Sequence, residues 1–160
     1  MTRIVNIMPM AGLGKRFYES IFQLPKPLIL IKNKPMFIQA AKSMPKSNLN
    51  IFICNNKLVK QYNIHKILSK SFHKKFKLIT IKRTTKGQAN TCLLAKKFLR
   101  KNDKIFIHSC DSLIKFSSKN LNIDLDNNKA VILTTKPNKI HLRNIKSYGW
   151  VNSKNNKISK

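Results

Sequence analysis

Ile4-Val5-Asn6-Ile7-Met8-Pro9-Met10-Ala11-Gly12-Leu13-Gly14-Lys15-Arg16-Phe17 stands almost at the start of the chain. Ile4 to Met8 is a short apolar, β-branched run closed by Pro9, the pattern of a buried strand. From Met10 to Pro27 no hydrophobic period survives, and two glycines and two prolines make the segment a long loop. A strand that delivers straight into a glycine loop becomes informative if strands and helices alternate behind it.

They do. Leu28 to Ile31 suits a short strand closed by Lys32-Asn33-Lys34, and Pro35 suits the first turn of a helix. Met36, Phe37, Ala40, Ala41 and Met44 give that helix one apolar face, and Pro45 ends it. Ile51 to Cys54 reads as a second main strand, Lys57 to Lys70 as a helix and Leu78 to Ile81 as a third strand. Thr84 or Thr85 can cap a helix from Gln88 to Leu99. Ile105 to Ile107 is a fourth strand, Ala130 to Thr135 a fifth, and Tyr148 to Asn152 a sixth. This alternation predicts a mostly parallel sheet with helices on both faces, in a single domain over residues 1–160. Ligands of such sheets sit beyond the carboxyl ends of the strands. Topology alone then brings the glycine loop and Ser109-Cys110-Asp111 to one edge.

Composition narrows the chemistry. Apolar residues are 42% of the 160, enough for a core. There are 33 Lys and Arg against 5 Asp and Glu, a formal net charge of +28. Mechanisms needing several carboxylates from these residues are nearly excluded. The charge fits phosphate-bearing ligands or nucleic acid. It also has a compositional source: 28 Lys, 18 Asn and 20 Ile share A- and T-rich codons, and the basic residues form no arginine-rich tract. Cys54, Cys92 and Cys110 are widely spaced and form no C-x-x-C pair, so neither a disulfide framework nor a zinc site is indicated. No apolar run has the length of a membrane span, and the N-terminus lacks the form of a signal peptide, so a cytoplasmic protein without a membrane partner is expected.

Glycines let a backbone approach a ligand closely, and turned N–H groups can cradle phosphate oxygens. Arg16 offers a planar fork for phosphate and Lys26, in Leu24-Pro25-Lys26-Pro27-Leu28, a point charge. The alternative is a glycine turn with two solvated cations. The dinucleotide fingerprint is excluded because Phe17 stands at its third glycine, and no P-loop spacing occurs. Asp124-Leu125-Asp126 among asparagines reads as a solvated turn. The four histidines share no metal-ligand spacing, Cys110 reads as a small buried residue, and Trp150 reads as packing. Lys70, Lys74 and Lys75 with Phe72, His73 and Phe76 read as a helix-to-strand connection rather than a nucleic-acid platform.

Ala11-Gly12-Leu13-Gly14-Lys15-Arg16-Phe17 followed by Pro25-Lys26-Pro27-Leu28 resembles the signature of sugar-phosphate nucleotidyltransferases. The likeness continues through Lys34-Pro35-Met36, Thr85-Lys86-Gly87-Gln88-Ala89-Asn90-Thr91, His108-Ser109-Cys110-Asp111 and Tyr148-Gly149-Trp150-Val151, five segments in order. The resemblance implies a Rossmann-like three-layer α/β/α domain with a mostly parallel, mixed sheet. It implies that Ala11, Gly12, Gly14, Lys15, Gly87 and Gln88 bind the nucleotide, and that Arg16 and Lys26 act on the triphosphate and the acceptor phosphate. Asp111 would hold Mg²⁺ and Gly149 would contact the acceptor. The implied partners are a nucleoside triphosphate and a phosphorylated small molecule, a sugar 1-phosphate or a relative such as phosphocholine. Transfer of the nucleotidyl group would release pyrophosphate, for surface polysaccharide or lipid assembly. Positioning and charge neutralisation carry such chemistry, which suits a site poor in carboxylates.

Two departures stand out. Thr85 occupies the place where the family often has a base-reading Gln. The family's later Glu-Lys segment and second metal-binding aspartate have no counterpart, so a domain incomplete at its C-terminus is expected. Two other readings remain: a basic nucleic-acid-binding α/β protein, and a non-catalytic remnant that keeps only the nucleotide pocket.

Overall fold

The computed structural model describes residues 2–12, 24–115, 130–155 and 157–159. Contacts divide the chain into two compact units, Met1–Ile123 and Asp124–Lys160.

In the first unit the chain enters as strand β1 (Ile4–Met10). A 3₁₀ turn at Lys26–Leu28 leads to a small antiparallel hairpin, β2 (Leu30–Ile31) and β3 (Lys34–Pro35). Helix α1 (Met36–Ser43), strand β4 (Leu49–Asn55), helices α2 (Asn56–Gln61) and α3 (Ile64–Phe72) and strand β5 (Phe76–Ile81) follow. Helix α4 (Gln88–Leu93), a 3₁₀ turn at Lys96–Phe98 and strand β6 (Lys104–Ile107) complete the sequence of elements. The main sheet runs in the order β5-β4-β1-β6 with every pairing parallel.

Both faces of the two central strands are buried, and period two sorts their side chains. Met8, Met10, Phe52 and Cys54 join Phe37, Ala41, Leu58, Ile64 and Leu68 of α1, α2 and α3 in one core cluster. Val5, Ile7, Ile51 and Ile53 face the other way, onto Cys92 and Ala95. The result is the expected three-layer arrangement.

Local departures from the sequence reading have physical causes. β1 runs past Pro9 to Met10. The Ile7 carbonyl accepts from His108 N at 3.1 Å, so Ile7 and, two residues on, Pro9 face β6 with their backbone polar groups. The β1–β6 register ends at Ile7 and Ile107, so the missing N–H of Pro9 breaks no ladder bond. The single helix predicted over 57–70 is two, because Asn63 adopts a left-handed conformation (φ 47°) and caps α3 through its side chain. Asn tolerates that region better than most residues. The helix predicted from Gln88 to Leu99 gives way to a 3₁₀ turn after Leu93. Only Leu30 and Ile31 of the predicted Leu28–Ile31 strand are extended in pairing.

In the second unit Asn138 caps helix α5 (Lys139–Arg143) in a reciprocal capping box with His141. A 3₁₀ turn at Ile145–Ser147 and an antiparallel hairpin, β7 (Asn152–Lys154) and β8 (Lys157–Ser159), follow. The strand expected at Ala130 to Thr135 is irregular, with Ile132 and Leu133 at 60% and 50% exposure. The strand expected at Tyr148 to Asn152 begins only at Asn152. Both expectations rested on β-branched and aromatic content, which stabilises a strand through packing against neighbours. These residues lack that burial. Trp150 is 47% exposed and its indole N–H donates to the Ile145 carbonyl at 2.8 Å. No helix among the described residues is long and apolar enough to cross a membrane.

Candidate active site

The strand order reverses between β1 and β6: β4 and β5 are laid down on one side of β1, and β6 on the other. Crevices in open parallel sheets form at such a point, outside the carboxyl ends. A cavity of about 320 Å³ lies there, lined by Met10, Ala11 and Gly12 after β1 and by Ser109, Cys110 and Asp111 after β6. Lys26 and the connection from β5 to α4, with Thr85, Gly87 and Gln88, supply further walls. Gly12, Gly87 and Asp111 thus meet, as topology demands.

Lys26 sits between Pro25 and Pro27 at the start of its 3₁₀ turn. Prolines on both sides restrict the backbone, and the Leu28 N–H closes the turn onto the Pro25 carbonyl at 2.8 Å. Leu28 is buried in the core and anchors the turn. The Lys26 Nζ reaches Asp111 Oδ2 at 2.5 Å. Asp111 is presented by a cross-linked turn. The His108 ring meets the Ser112 carbonyl at 2.9 Å, the Ser109 and Ser112 hydroxyls are 2.9 Å apart, and the Ile114 N–H donates to Ser43 Oγ.

Partial burial favours the neutral form of Asp111, but hydrogen bonds from Lys26 and Ser109 and the Lys26 charge outweigh it, holding the carboxyl below its ordinary value. Cys110 behaves oppositely. Burial first, then the Asp111 charge, pushes its thiol up to about 11. It packs, partly buried, against the core, and a thiol held neutral is a poor nucleophile.

The glycines carry a second kind of information. Among the described residues, a Cβ on Gly12 or Gly87 would meet no atom within 4 Å. Packing among those residues therefore does not require these positions to be bare, which leaves room beside their backbone for a ligand. At Gly87 the carbonyl collects the Thr91 N–H at 3.1 Å, the Thr85 hydroxyl at 2.9 Å and the Thr91 hydroxyl at 3.1 Å.

Among the described residues no three His, Cys, Asp or Glu side chains gather into a metal cluster. Asp111, on the cavity wall beside the Ser109 hydroxyl, offers hard oxygen atoms that could hold a Mg²⁺ ion with phosphates and water completing its shell. Gly14, Lys15 and Arg16, and Asp124-Leu125-Asp126, lie outside the described residues. Gly149 belongs to the second unit, whereas the cavity is built from the first. Sequence reasoning quotes Thr91 only as the end of the Thr85–Thr91 segment; the structure places it on the cavity wall, a hydroxyl four residues after Gly87 in α4. Sequence reasoning missed the pairing of Lys26 with Asp111, which no spacing encodes.

The sequence pattern of the family described as nucleotidyl transferase matches residues 6–160. No curated protein matches the sequence. The fold is similar to that of a nucleoside-diphosphate-sugar pyrophosphorylase from Vibrio cholerae RC9 (TM-score 0.58, 21% identity, covering 73% of this chain and 52% of that one). It is also similar to a Bacillus anthracis protein assigned as a glucose-1-phosphate thymidylyltransferase (TM-score 0.64, 17% identity, 79% and 51% covered). A third similar structure is the inositol-1-phosphate CTP transferase from T. maritima (TM-score 0.57, 17% identity, 70% and 44% covered). The chain spans about half the length of these structures.

Proposed function

Because the chain belongs to the nucleotidyl transferase family, we propose that its cavity binds a nucleoside triphosphate and serves transfer of the nucleotidyl group to a phosphorylated small molecule. The acceptor in this reading is a sugar 1-phosphate or a chemically similar phosphate such as phosphocholine, and the product feeds surface polysaccharide or lipid assembly. The reaction is cytoplasmic in this reading, since that is where nucleoside triphosphates are made.

The observation that carries the proposal is the Lys26–Asp111 pair, held at the switch point of the sheet beside two glycines with open space at their Cβ positions. An ammonium on this wall neutralises phosphate charge, and Gly12 and Gly87 let the ligand lie against the backbone. Arg16, from the same glycine loop, adds a forked donor for phosphate. Asp111 would hold Mg²⁺, which when bound supplies charge neutralisation at the phosphates. A phosphate that binds between Lys26 and Asp111 takes over part of the ammonium's hydrogen bonding, leaving the carboxylate oxygens available. Attack by an acceptor phosphate oxygen on the α-phosphorus forms one P–O bond and breaks another, and the departing group is pyrophosphate. The residues orient and neutralise; no acid or base in the cavity is required.

Differential scanning fluorimetry with a nucleoside triphosphate and Mg²⁺ tests the reading. Binding to the native state raises the melting temperature. Arg16→Ala and Asp111→Asn should remove most of that shift, and equal shifts in wild type and variants would refute this assignment of the phosphate site. Pyrophosphate release with a sugar 1-phosphate then separates an enzyme from a protein that only binds.

A further inference from the structure

The fold similarities include a CTP transferase and a protein assigned as a thymidylyltransferase, so the fold alone does not choose a base. The hydroxyls at Gly87 bear on that choice. Thr85 Oγ1 and Thr91 Oγ1 are 2.5 Å apart, and both lie within hydrogen-bond distance of the Gly87 carbonyl. Each hydroxyl has one proton and two lone pairs. Two oxygens at that separation need a proton between them, so one hydroxyl donates to the other. The remaining proton goes to the Gly87 carbonyl. Whichever way the chain of donors runs, both protons are used inside the triad. Turning the Thr85 proton outward would forfeit one of these bonds. Thr91 is buried, while Thr85 is half-buried and lines the cavity. Thr85 Oγ1 therefore has only lone pairs left to offer a ligand.

The walls of the cavity divide by charge. Lys26 and Asp111 form the charged wall. The Thr84–Thr91 connection contributes hydroxyls, an amide and backbone, without charge among its cavity-lining residues. A triphosphate belongs with the ammonium, which leaves the base for the neutral wall. Thr84 and Gln88 also stand there, but each carries both donor and acceptor capacity and adapts to either kind of base.

We propose that the Thr85 hydroxyl selects the base, accepting a hydrogen bond from an exocyclic amine and disfavouring a keto oxygen at the same place. The ligand class is then a nucleoside triphosphate of the cytosine or adenine type, whose exocyclic amine stands where uracil or hypoxanthine has a keto oxygen. This inference rests on the nucleotide reading above, and goes beyond it by fixing the base class. A keto oxygen set against acceptor lone pairs loses a bond and gains repulsion, which is a preference of about tenfold.

Equilibrium titration with CTP and UTP, and with ATP and inosine triphosphate, decides the matter, because each pair differs at the amino or keto position. Wild type should bind the amino member about tenfold more tightly in whichever pair binds. Thr85→Val should bring the ratio close to one, and Thr85→Ser should restore it. A merely structural role would weaken both members equally and leave the ratio standing. Equal affinities in wild type, or a ratio unchanged by Thr85→Val, would overturn the inference while leaving the nucleotide reading intact. A CTP-over-dCTP preference that Thr85→Val abolishes, with CTP and UTP bound equally by wild type, would assign Thr85 to the ribose and overturn it too. Binding of no nucleotide would overturn both readings together.

Discussion

The two units of the chain are built from similar amino acids and differ in what those amino acids touch. In the first, Phe37, Phe52, Ile51, Ile53, Ile64 and Leu68 are fully enclosed on the two faces of a parallel sheet. In the second, no described residue is buried, and Ile140, Leu142 and Ile145 are 63%, 55% and 57% exposed. Local hydrogen bonding is not what separates them, since α5 carries a full capping box and α3 a single cap. Burial of apolar surface separates them, and the candidate cavity lies in the unit that has it. A cross-linked turn can hold Asp111 against Lys26 because the strands beneath it are fixed.

The largest test of that contrast is a pair of truncations. Phe52→Ala removes a ring that packs edge-on against Phe37 and tilted against Phe72, and should cost about 3–5 kcal/mol in denaturant unfolding. Leu142→Ala, at an exposed position of α5, should change stability by less than about 0.5 kcal/mol. Comparable losses would mean that the second unit contributes a core of its own.

Capping sharpens the comparison at a smaller scale. Asn63→Ala removes the cap of a helix that buries Ile64 and Leu68, and also places Ala in a left-handed conformation, for a loss of about 1–2 kcal/mol in the same assay. Asn138→Ala removes a more complete cap, the capping box of α5, from a helix that buries nothing. It should lower helical signal locally and leave the main unfolding midpoint where it is.

The smallest effect is protonic. The folded-state value of Asp111 lies below its ordinary one, so the pair's contribution is present above the ordinary carboxylate range. That contribution is lost as pH falls through the lowered value. NMR titration should show Asp111 deprotonating early. Lys26→Ala should raise its value, because burial then meets only the Ser109 hydrogen bond and a backbone hydrogen bond in opposition. A titration unmoved by the substitution would mean that the ion pair does not govern the carboxylate.

The same contrast explains which parts of the molecule were legible in its sequence. Strands such as Ile51–Cys54 announce themselves because burial on both faces demands continuous apolar side chains, and the structure extends this one only to Leu49–Asn55. The meeting of Gly12, Gly87 and Asp111 was legible because chain order in a parallel sheet fixes which ends coincide. Ala130 to Thr135 misled because β-branched content is necessary for a buried strand and insufficient without a partner. The break at Asn63 was hidden because a left-handed residue leaves the apolar positions on either side in helical spacing. Lys26 and Asp111 were each identifiable as chemistry-bearing residues. Their contact was not, since it depends on the proline-bounded turn and the turn after β6 arriving at the same height above the sheet.

The central claim is that the cavity at the ends of β1 and β6 is the phosphate site of a nucleotide. Calorimetric titration of a Mg²⁺–nucleoside triphosphate at physiological salt tests it most directly, using wild type, Lys26→Ala and Lys60→Ala. Lys60 is exposed on α2 and not among the cavity-lining residues, so its removal subtracts the same unit of charge from a +28 chain without touching the site. The account predicts affinity reduced about tenfold or more by Lys26→Ala, and unchanged by Lys60→Ala. Equal, small losses in both variants would contradict it, since the nucleotide would then be responding to the chain's overall charge rather than to this cavity.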